Sequence, residues 1–190
     1  EGRLQGELRI ALNRLGQLWP GLQGQAAGRL DLAGSLQAPQ GTFTLNGQGL
    51  GFNELLMGRL GLDAKLDANQ QASVQVVGQG IASGDTQIGD LTANGGGNQR
   101  QQQLQLSLQG ETLQTSLALD GTLDQGNWRG RLSRAEVQAG GQDWRLQQPA
   151  SLVRLANGQI DLGAHCFRSG EASLCGENQR LQPEPQIRYR

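Results

Sequence analysis

Residues 28–49, GRLDLAGSLQAPQGTFTLNGQG, and residues 58–80, GRLGLDAKLDANQQASVQVVGQG, decide the fold of this chain. Both run Gly-Arg-Leu-x-Leu, then a turn, then a second stretch that ends in Gly-Gln-Gly. Apolar residues alternate with polar ones in each, and a period of two predicts β-strands with one apolar and one polar face. Each repeat is therefore predicted to be one hairpin. Repeats that cannot bury their own apolar face are stable only when they stack.

The same alternation continues through most of the 190 residues, for example at Leu104–Leu108 and Leu117–Leu119. Short turns such as Asn157-Gly158 separate the alternating segments, and short connections favour antiparallel neighbours. The sequence thus predicts an all-β fold: an elongated, strongly curled, mostly antiparallel sheet that forms an open groove with an apolar concave face. Residues 1–190 are expected to be a single β-groove segment of a longer protein.

Three stretches are predicted to depart from a regular strand pattern. One short helical piece is expected near residues 13–19, because the leucines around it fall at helical spacing. A flexible loop is predicted over residues 94–103, NGGGNQRQQQ. The three adjacent apolar residues 55–57 are interpreted as a loop between two strands, which is either a bulge tucked into the groove or a contact at its rim. Residues 126–132 and 135–139 are predicted to form two separate strands.

The apolar composition indicates what the groove could hold. Apolar residues make up 36% of the chain but aromatic residues only 4%, and a filled core of this size would normally bury more aromatic rings. This balance favours an open slot over a face that is covered by a second sheet. The predicted groove lining shares the strand alternation and comprises Leu30, Leu32, Leu36, Phe43, Leu45, Leu60, Leu62, Leu66, Val74, Val76, Leu104, Leu106, Leu108, Leu117, Leu119, Leu132, Ile160 and Leu162.

Composition and motifs argue against several classes of function. The formal net charge of −1 gives no basic field for nucleic acid, and no apolar run is long enough to predict a membrane-spanning helix. No phosphate loop, dinucleotide fingerprint or nucleophile motif is present. His165 is the only histidine and is interpreted as a strand residue, so no metal site is predicted. The sequence predicts no catalytic residue and no cofactor, and therefore a protein that is not an enzyme.

Cys166 and Cys175 are the one pair of residues for which the sequence predicts a specific cross-link. A two-residue turn at Gly170-Glu171 would place the two cysteines directly opposite each other, within disulfide reach. Glycine at the first turn position suits a type II′ turn. A bridge is favoured and would indicate an oxidising compartment. The alternative is two reduced thiols within the strands.

Residues 11–52 resemble a recurrent stretch of the TamB proteins, which belong to the AsmA-like, repeating β-groove group. The shared pattern is a short leucine-rich helical piece, then Gly-x-Leu-x-Leu-x-Gly-x-Leu, then a Pro-x-Gly turn at Pro39-Gln40-Gly41. Downstream, Trp128–Leu132, Trp144–Pro149 and the two cysteines are similar to another stretch of the same proteins. The order of these segments carries the resemblance, which extends to about Gly176.

This resemblance implies a location, a ligand and a partner. TamB-like proteins are anchored in the inner membrane of Gram-negative bacteria by an N-terminal helix, which is expected to lie outside these 190 residues. They extend through the periplasm as a curled sheet with an apolar face. They are thought to carry phospholipid to the outer membrane, so phospholipid acyl chains are the expected ligand. An outer-membrane barrel protein of the Omp85 type, TamA, is the expected partner of the full-length protein.

Three hypotheses of function follow. The first is a periplasmic segment of an envelope-spanning lipid-transport protein, which binds acyl chains in its groove and serves outer-membrane biogenesis. The second is a structural or partner-binding β module that acts with the Omp85-type barrel in assembly of outer-membrane proteins such as autotransporters. The third is an enzyme domain. An open slot would favour the first hypothesis, and an apolar face covered by its own second sheet would favour the second.

Overall fold

The computed structural model describes residues 2–98, 100–186 and 188–189, and almost all of them are in β-strands. Among these residues no α-helix forms, and one 3-10 turn spans Leu15–Gln17. The strands are β1 (Gly6–Leu12), β2 (Leu22–Gly34), β3 (Pro39–Phe52), β4 (Leu55–Leu66), β5 (Ala72–Ser83), β6 (Thr86–Gly97), β7 (Gln102–Gln109), β8 (Leu113–Asp124), β9 (Asn127–Ala139), β10 (Gln142–Leu146), β11 (Ala150–Arg154), β12 (Ile160–Leu162), β13 (His165–Ser169), β14 (Ala172–Gly176) and β15 (Gln179–Gln182).

The fifteen strands belong to one antiparallel sheet, in the order β1-β2-β3-β4-β5-β6-β7-β8-β9-β10-β13-β14. From β1 to β10 each strand pairs with its successor in sequence, as short connections require. β11 pairs with β9 and β12, and β12 also pairs with β15. The prediction of an all-β, mostly antiparallel fold is confirmed. The curl of the sheet and the open groove stay predictions.

Local predictions had mixed outcomes. The helical piece near residues 13–19 is confirmed as a 3-10 turn of three residues. The predicted loop at residues 55–57 is wrong, because these residues begin β4 and pair with the end of β3. The two strands predicted at 126–132 and 135–139 are one strand, β9. Strands β6 and β7 take up most of the predicted loop at 94–103, which also includes Gln99, outside the described residues.

The chain divides into two compact units. The first unit comprises Glu1–Gly96 and Leu108–Glu111, and its strands β1 to β5 are connected in register by long antiparallel ladders. The bonds of an antiparallel ladder satisfy the backbone of each inner strand on both sides. A single layer of strands therefore satisfies its own backbone without help from a second layer.

The second unit comprises Gly97–Ser107 and Thr112–Arg190. Its centre is β9, which pairs with β8 along one edge and with β10 and β11 along the other. A bulge in the β8–β9 ladder, between Ala118 and Leu119, lies between the part of β9 that pairs with β10 and the part that pairs with β11. Ala135 in β9 and Ala150 in β11 are each only 1% exposed.

Candidate functional site

The candidate site is an apolar face that crosses β1 to β5 in the first unit. Residues directly opposite each other in an antiparallel ladder share a face, so the registers define rows of side chains. The face is built from four adjacent rows: Gly6–Leu32–Gly41–Leu66–Ala72, Leu8–Leu30–Phe43–Ala64–Val74, Ile10–Gly28–Leu45–Leu62–Val76 and Leu12–Ala26–Gly47–Leu60–Gly78. We call this surface the apolar face. It holds no charged residue.

Half of the predicted lining residues come together on the apolar face. They are Leu30, Leu32, Phe43, Leu45, Leu60, Leu62, Leu66, Val74 and Val76. Leu8 and Ile10 of β1 join them but were not predicted to line the groove. Their strand parity was visible in the sequence, and the register of β1 against β2 supplies the placement.

Leucines and glycines alternate across neighbouring strands of the apolar face. A methyl group placed on Gly41 would lie 3.2 Å from Leu32 Cδ2, and one placed on Gly28 would lie 3.4 Å from Leu45 Cδ1. The glycines thus leave room for leucine side chains of adjacent strands to lie against the sheet. This packing gives a shallow apolar surface rather than a deep pocket with convergent polar groups.

Exposure shows that the apolar face is not covered like an ordinary core. The leucines of the inner rows are half-buried, Leu32 is 37% exposed, and Leu8 and Ile10 at the edge strand are 52% and 45% exposed. In the described part of the chain no large side chain is fully buried. Contiguous exposed apolar surface on a soluble protein is a mark of a binding surface.

The opposite face of the same strands is polar. One of its rows runs Arg9–Arg29–Thr44–Asp63–Gln75. Arg29 donates two hydrogen bonds to Asp31, from Nε at 2.7 Å and from Nη2 at 2.9 Å. The hydrogen bond from Arg29 lowers the pKa of the Asp31 carboxyl, although desolvation opposes the shift. The two faces of this sheet therefore differ sharply in chemistry, as the alternation predicts.

The second unit carries an apolar surface of its own. Leu119, Leu132 and Ala150 form one row, and Gly121, Gly130, Leu152 and Leu162 form the next. Predicted lining residues on this surface are Leu117, Leu119, Leu132, Ile160 and Leu162. Trp128 was not predicted to belong to it. Its indole lies over the two glycines, because methyl groups placed on Gly121 and Gly130 would each come within 2.5 Å of the ring.

The remaining predicted lining residues lie elsewhere. Leu104, Leu106 and Leu108 alternate along β7, where Leu104 is 37% exposed. Leu36 does not join the rows, because β2 ends at Gly34 and Leu36 lies in the following turn with 73% exposure. The prediction extended the strand by two residues because the leucine continued the alternation, but Gly34 adopts φ +94° and breaks the strand.

The predicted disulfide is confirmed. Cys166 in β13 and Cys175 in β14 are bridged and face each other in the ladder, with their Cα atoms 4.1 Å apart. The hairpin has the predicted register, with Ser169 opposite Ala172. Gly170 adopts φ +56°, the left-handed conformation that the first position of a type II′ turn requires.

His165 is a buried strand residue beside this bridge. Its Nδ1 lies 2.8 Å from the Gly163 carbonyl oxygen, and its ring packs edge-on against Phe167 and Tyr189. Across the described ranges, no group of three or more His, Cys, Asp or Glu residues could hold a metal ion. In the same ranges, no helix is long and apolar enough to span a membrane.

A comparison with known protein families places this chain in one of them. The family model described as TamB, N-terminal domain, matches residues 1–187. No solved structure matches the chain.

Proposed function

Because the chain belongs to the TamB family, we propose that it is a periplasmic segment of an envelope-spanning lipid-transport protein. The family is a transport and assembly module of the bacterial envelope and is not a known enzyme family. In this proposal the apolar face binds phospholipid acyl chains and conducts them between the inner and outer membranes. Outer-membrane biogenesis would depend on that transfer.

One observation carries the proposal: an uncharged aliphatic face crosses five strands and is left partly exposed. Hydrocarbon chains gain about 0.8 kcal/mol for each methylene group that leaves water, and a face of leucine and glycine offers no polar group that would fix one position. Small-molecule sites that orient a ligand for reaction need convergent polar groups. A surface without them suits a chain that slides.

A photocrosslinking amino acid, introduced into the full-length protein in cells, tests the proposal. We expect a phospholipid adduct from position Leu62, on the apolar face, and little or none from its neighbour Asp63, on the polar face. Each variant should be compared at equal protein level. Equal lipid adducts from both positions, or none from either, would contradict lipid binding by the apolar face.

A second candidate is a partner-binding β module that acts with the Omp85-type barrel, TamA, in assembly of outer-membrane proteins such as autotransporters. Strand β1 favours it, because among the described residues β1 forms a ladder with β2 alone, and its Leu8 and Ile10 are 52% and 45% exposed. A free strand edge can accept another strand by β-augmentation. Protein adducts from position Leu8, with no lipid adduct from Leu62, would favour this candidate.

A further inference from the structure

The apolar alternation of β3, β4 and β5 changes phase near one end of the strands. In β3 the apolar positions are Phe43 and Leu45, but then Leu50 and Phe52. In β4 the apolar positions move from the even residues Leu60 and Leu62 to the odd residue Met57. The apolar positions of β5 likewise move from Val74 and Val76 to Ile81. Strict alternation would place Leu50, Met57 and Ile81 on the polar face, beside Gln48, Arg59 and Gln79.

A line of glycines stands where the phase changes. The described ladders pass from Gln48–Arg59 to Leu50–Met57, and from Arg59–Gln79 to Met57–Ile81. Between these pairs lie Gly49, Gly58 and Gly80, which we call the glycine line. Gly49 adopts φ +57° and Gly80 φ +65°, a left-handed conformation that costs glycine little and other residues more.

Neighbouring groups accommodate this interruption. The Gly80 amide donates to Asp90 Oδ1 at 2.8 Å. In β2, a register shift falls between Gln23 and Gln25, and Gly24 adopts φ +99°. A methyl group on Gly24 would lie 2.5 Å from the Gly49 carbonyl oxygen, so only glycine fits there. The interruption thus continues into β2 as a bulge, which is a regular way for a sheet to re-aim side chains.

Distances across the sheet show which face Leu50, Met57 and Ile81 occupy. Gly47 and Gly78 are buried members of the apolar face, in the row with Leu60. A methyl group on Gly47 would lie 2.8 Å from Leu50 Cδ1, and one on Gly78 would lie 3.2 Å from Met57 Cε and 3.5 Å from Ile81 Cδ1. Leu50, Met57 and Ile81 therefore lie on the apolar face, not on the polar face. Ile81 is only 7% exposed.

We propose that the glycine line positions Leu50 and Met57, supported from beneath by the buried Ile81, as an extension of the apolar face, which contacts hydrocarbon chains beyond the four rows. This inference rests on the proposed function. Gly49 and Gly80 are positioning residues: their left-handed conformation turns the next apolar residue onto the ligand side. Without that turn, Leu50, Met57 and Ile81 would lie on the polar face beside Gln48, Arg59 and Gln79, and the apolar face would present only glycine at these positions. The flexible thioether of Met57 suits a ligand that occupies no single position.

Photocrosslinking from three positions of full-length protein in cells separates this inference from the proposed function. The positions are Met57 in the extension, Arg59 on the opposite face of the same strand, and Leu62 in the four rows. We expect phospholipid adducts from Met57 and Leu62, each at least fivefold above Arg59. An adduct from Leu62 with Met57 no higher than Arg59 would overturn the extension alone. No adduct above Arg59 from either position would overturn the proposed function.

A pair of glycine variants tests the positioning role. Alanine at positions 49 and 80 meets no steric obstacle, because the nearest atoms to the added methyl groups are at 3.7 Å or beyond, but it disfavours the left-handed conformation. With the crosslinker at Leu50, which directly follows Gly49, G49A/G80A should lower the lipid adduct at least fivefold, and G49N/G80N should retain it, since asparagine tolerates this conformation. The adduct from Leu62 should persist in both. An unchanged Leu50 adduct in G49A/G80A, or equal losses at Leu50 and Leu62, would overturn the role.

Discussion

At the scale of single residues, the glycines of this chain leave room for large side chains of neighbouring strands. Gly41 and Gly28 leave room for leucines of neighbouring strands, and Gly121 and Gly130 lie beneath the indole of Trp128. A methyl group at Gly121 or Gly130 would overlap that ring. The glycine content, 30 of 190 residues, is therefore part of how the apolar surfaces pack, and not only a source of turns.

The Cys166–Cys175 bridge should stabilise the second unit by restricting its unfolded chain. For a closed loop of about ten residues, the chain-entropy model gives roughly 2–3 kcal/mol. We expect C166S/C175S to lower the free energy of unfolding by that amount in denaturant titrations. Reduced wild-type protein should match the double variant, and oxidised wild-type protein should exceed both. Equal unfolding midpoints for all three samples would argue against a stabilising bridge.

At the scale of elements, β9 organises the second unit because one strand serves three partners. Residues 136–139 pair with β10, and residues 128–132 pair with β11. The bulge lies between the two sets, where Ser133 Oγ donates to the Ala118 carbonyl oxygen at 3.0 Å. A bulge bends its strand locally, so each half of β9 can follow a different neighbour.

Ala135 lies in β9 close to the bulge. It is opposite Leu117 in the ladder and is only 1% exposed. We expect A135L to destabilise the second unit by about 1–3 kcal/mol, because a larger side chain must displace packed neighbours. The matched control is A139L, since Ala139 is in the same strand at the same parity but is exposed. Denaturant unfolding of both variants against wild type measures the difference. Similar stabilities for A135L and A139L would show that the packing around Ala135 can expand without strain.

At the scale of the whole molecule, lipid conduction requires apolar surface that stays free of charge. One carboxylate beside hydrocarbon is costly when unpaired, and the cost of burying it reaches several kcal/mol. A partly exposed face in the absence of lipid can still hydrate such a group. Substitutions in the surface should therefore affect transport more than folding.

We expect L106D and L119D, each placed in the full-length protein, to impair outer-membrane barrier function while protein levels stay near normal. The controls are Q105D and Q109D, which alternate with the leucines of β7 and should leave the barrier intact. Antibiotic sensitivity and immunoblotting measure the two quantities. If both leucine variants accumulate normally and the barrier stays intact, the hypothesis that these positions conduct lipid is wrong. The partner-binding module would then be the better interpretation.

Much of the fold and part of the candidate site could be predicted from the pattern of residues. The alternation in GRLDLAGSL and GRLGLDAKL predicted that their leucines share a face, and the registers of β2 to β5 agree for all of them except Leu36. The Gly170-Glu171 turn predicted the cysteine pairing, because a two-residue loop leaves one register. These features depend on neighbours within about ten residues, and local geometry is enough to specify them.

By itself the sequence determined strand alternation, antiparallel order and the disulfide hairpin, since each follows from local backbone geometry. Only the tertiary structure decided the long-range partners, such as β10 with β13 and β12 with β15, because hydrogen bonding between distant segments chooses among many compatible strands. It also decided the phase change at Gly49 and Gly80. A glycine permits the left-handed conformation without requiring it, so only the folded sheet decides that Gly49 and Gly80 adopt it.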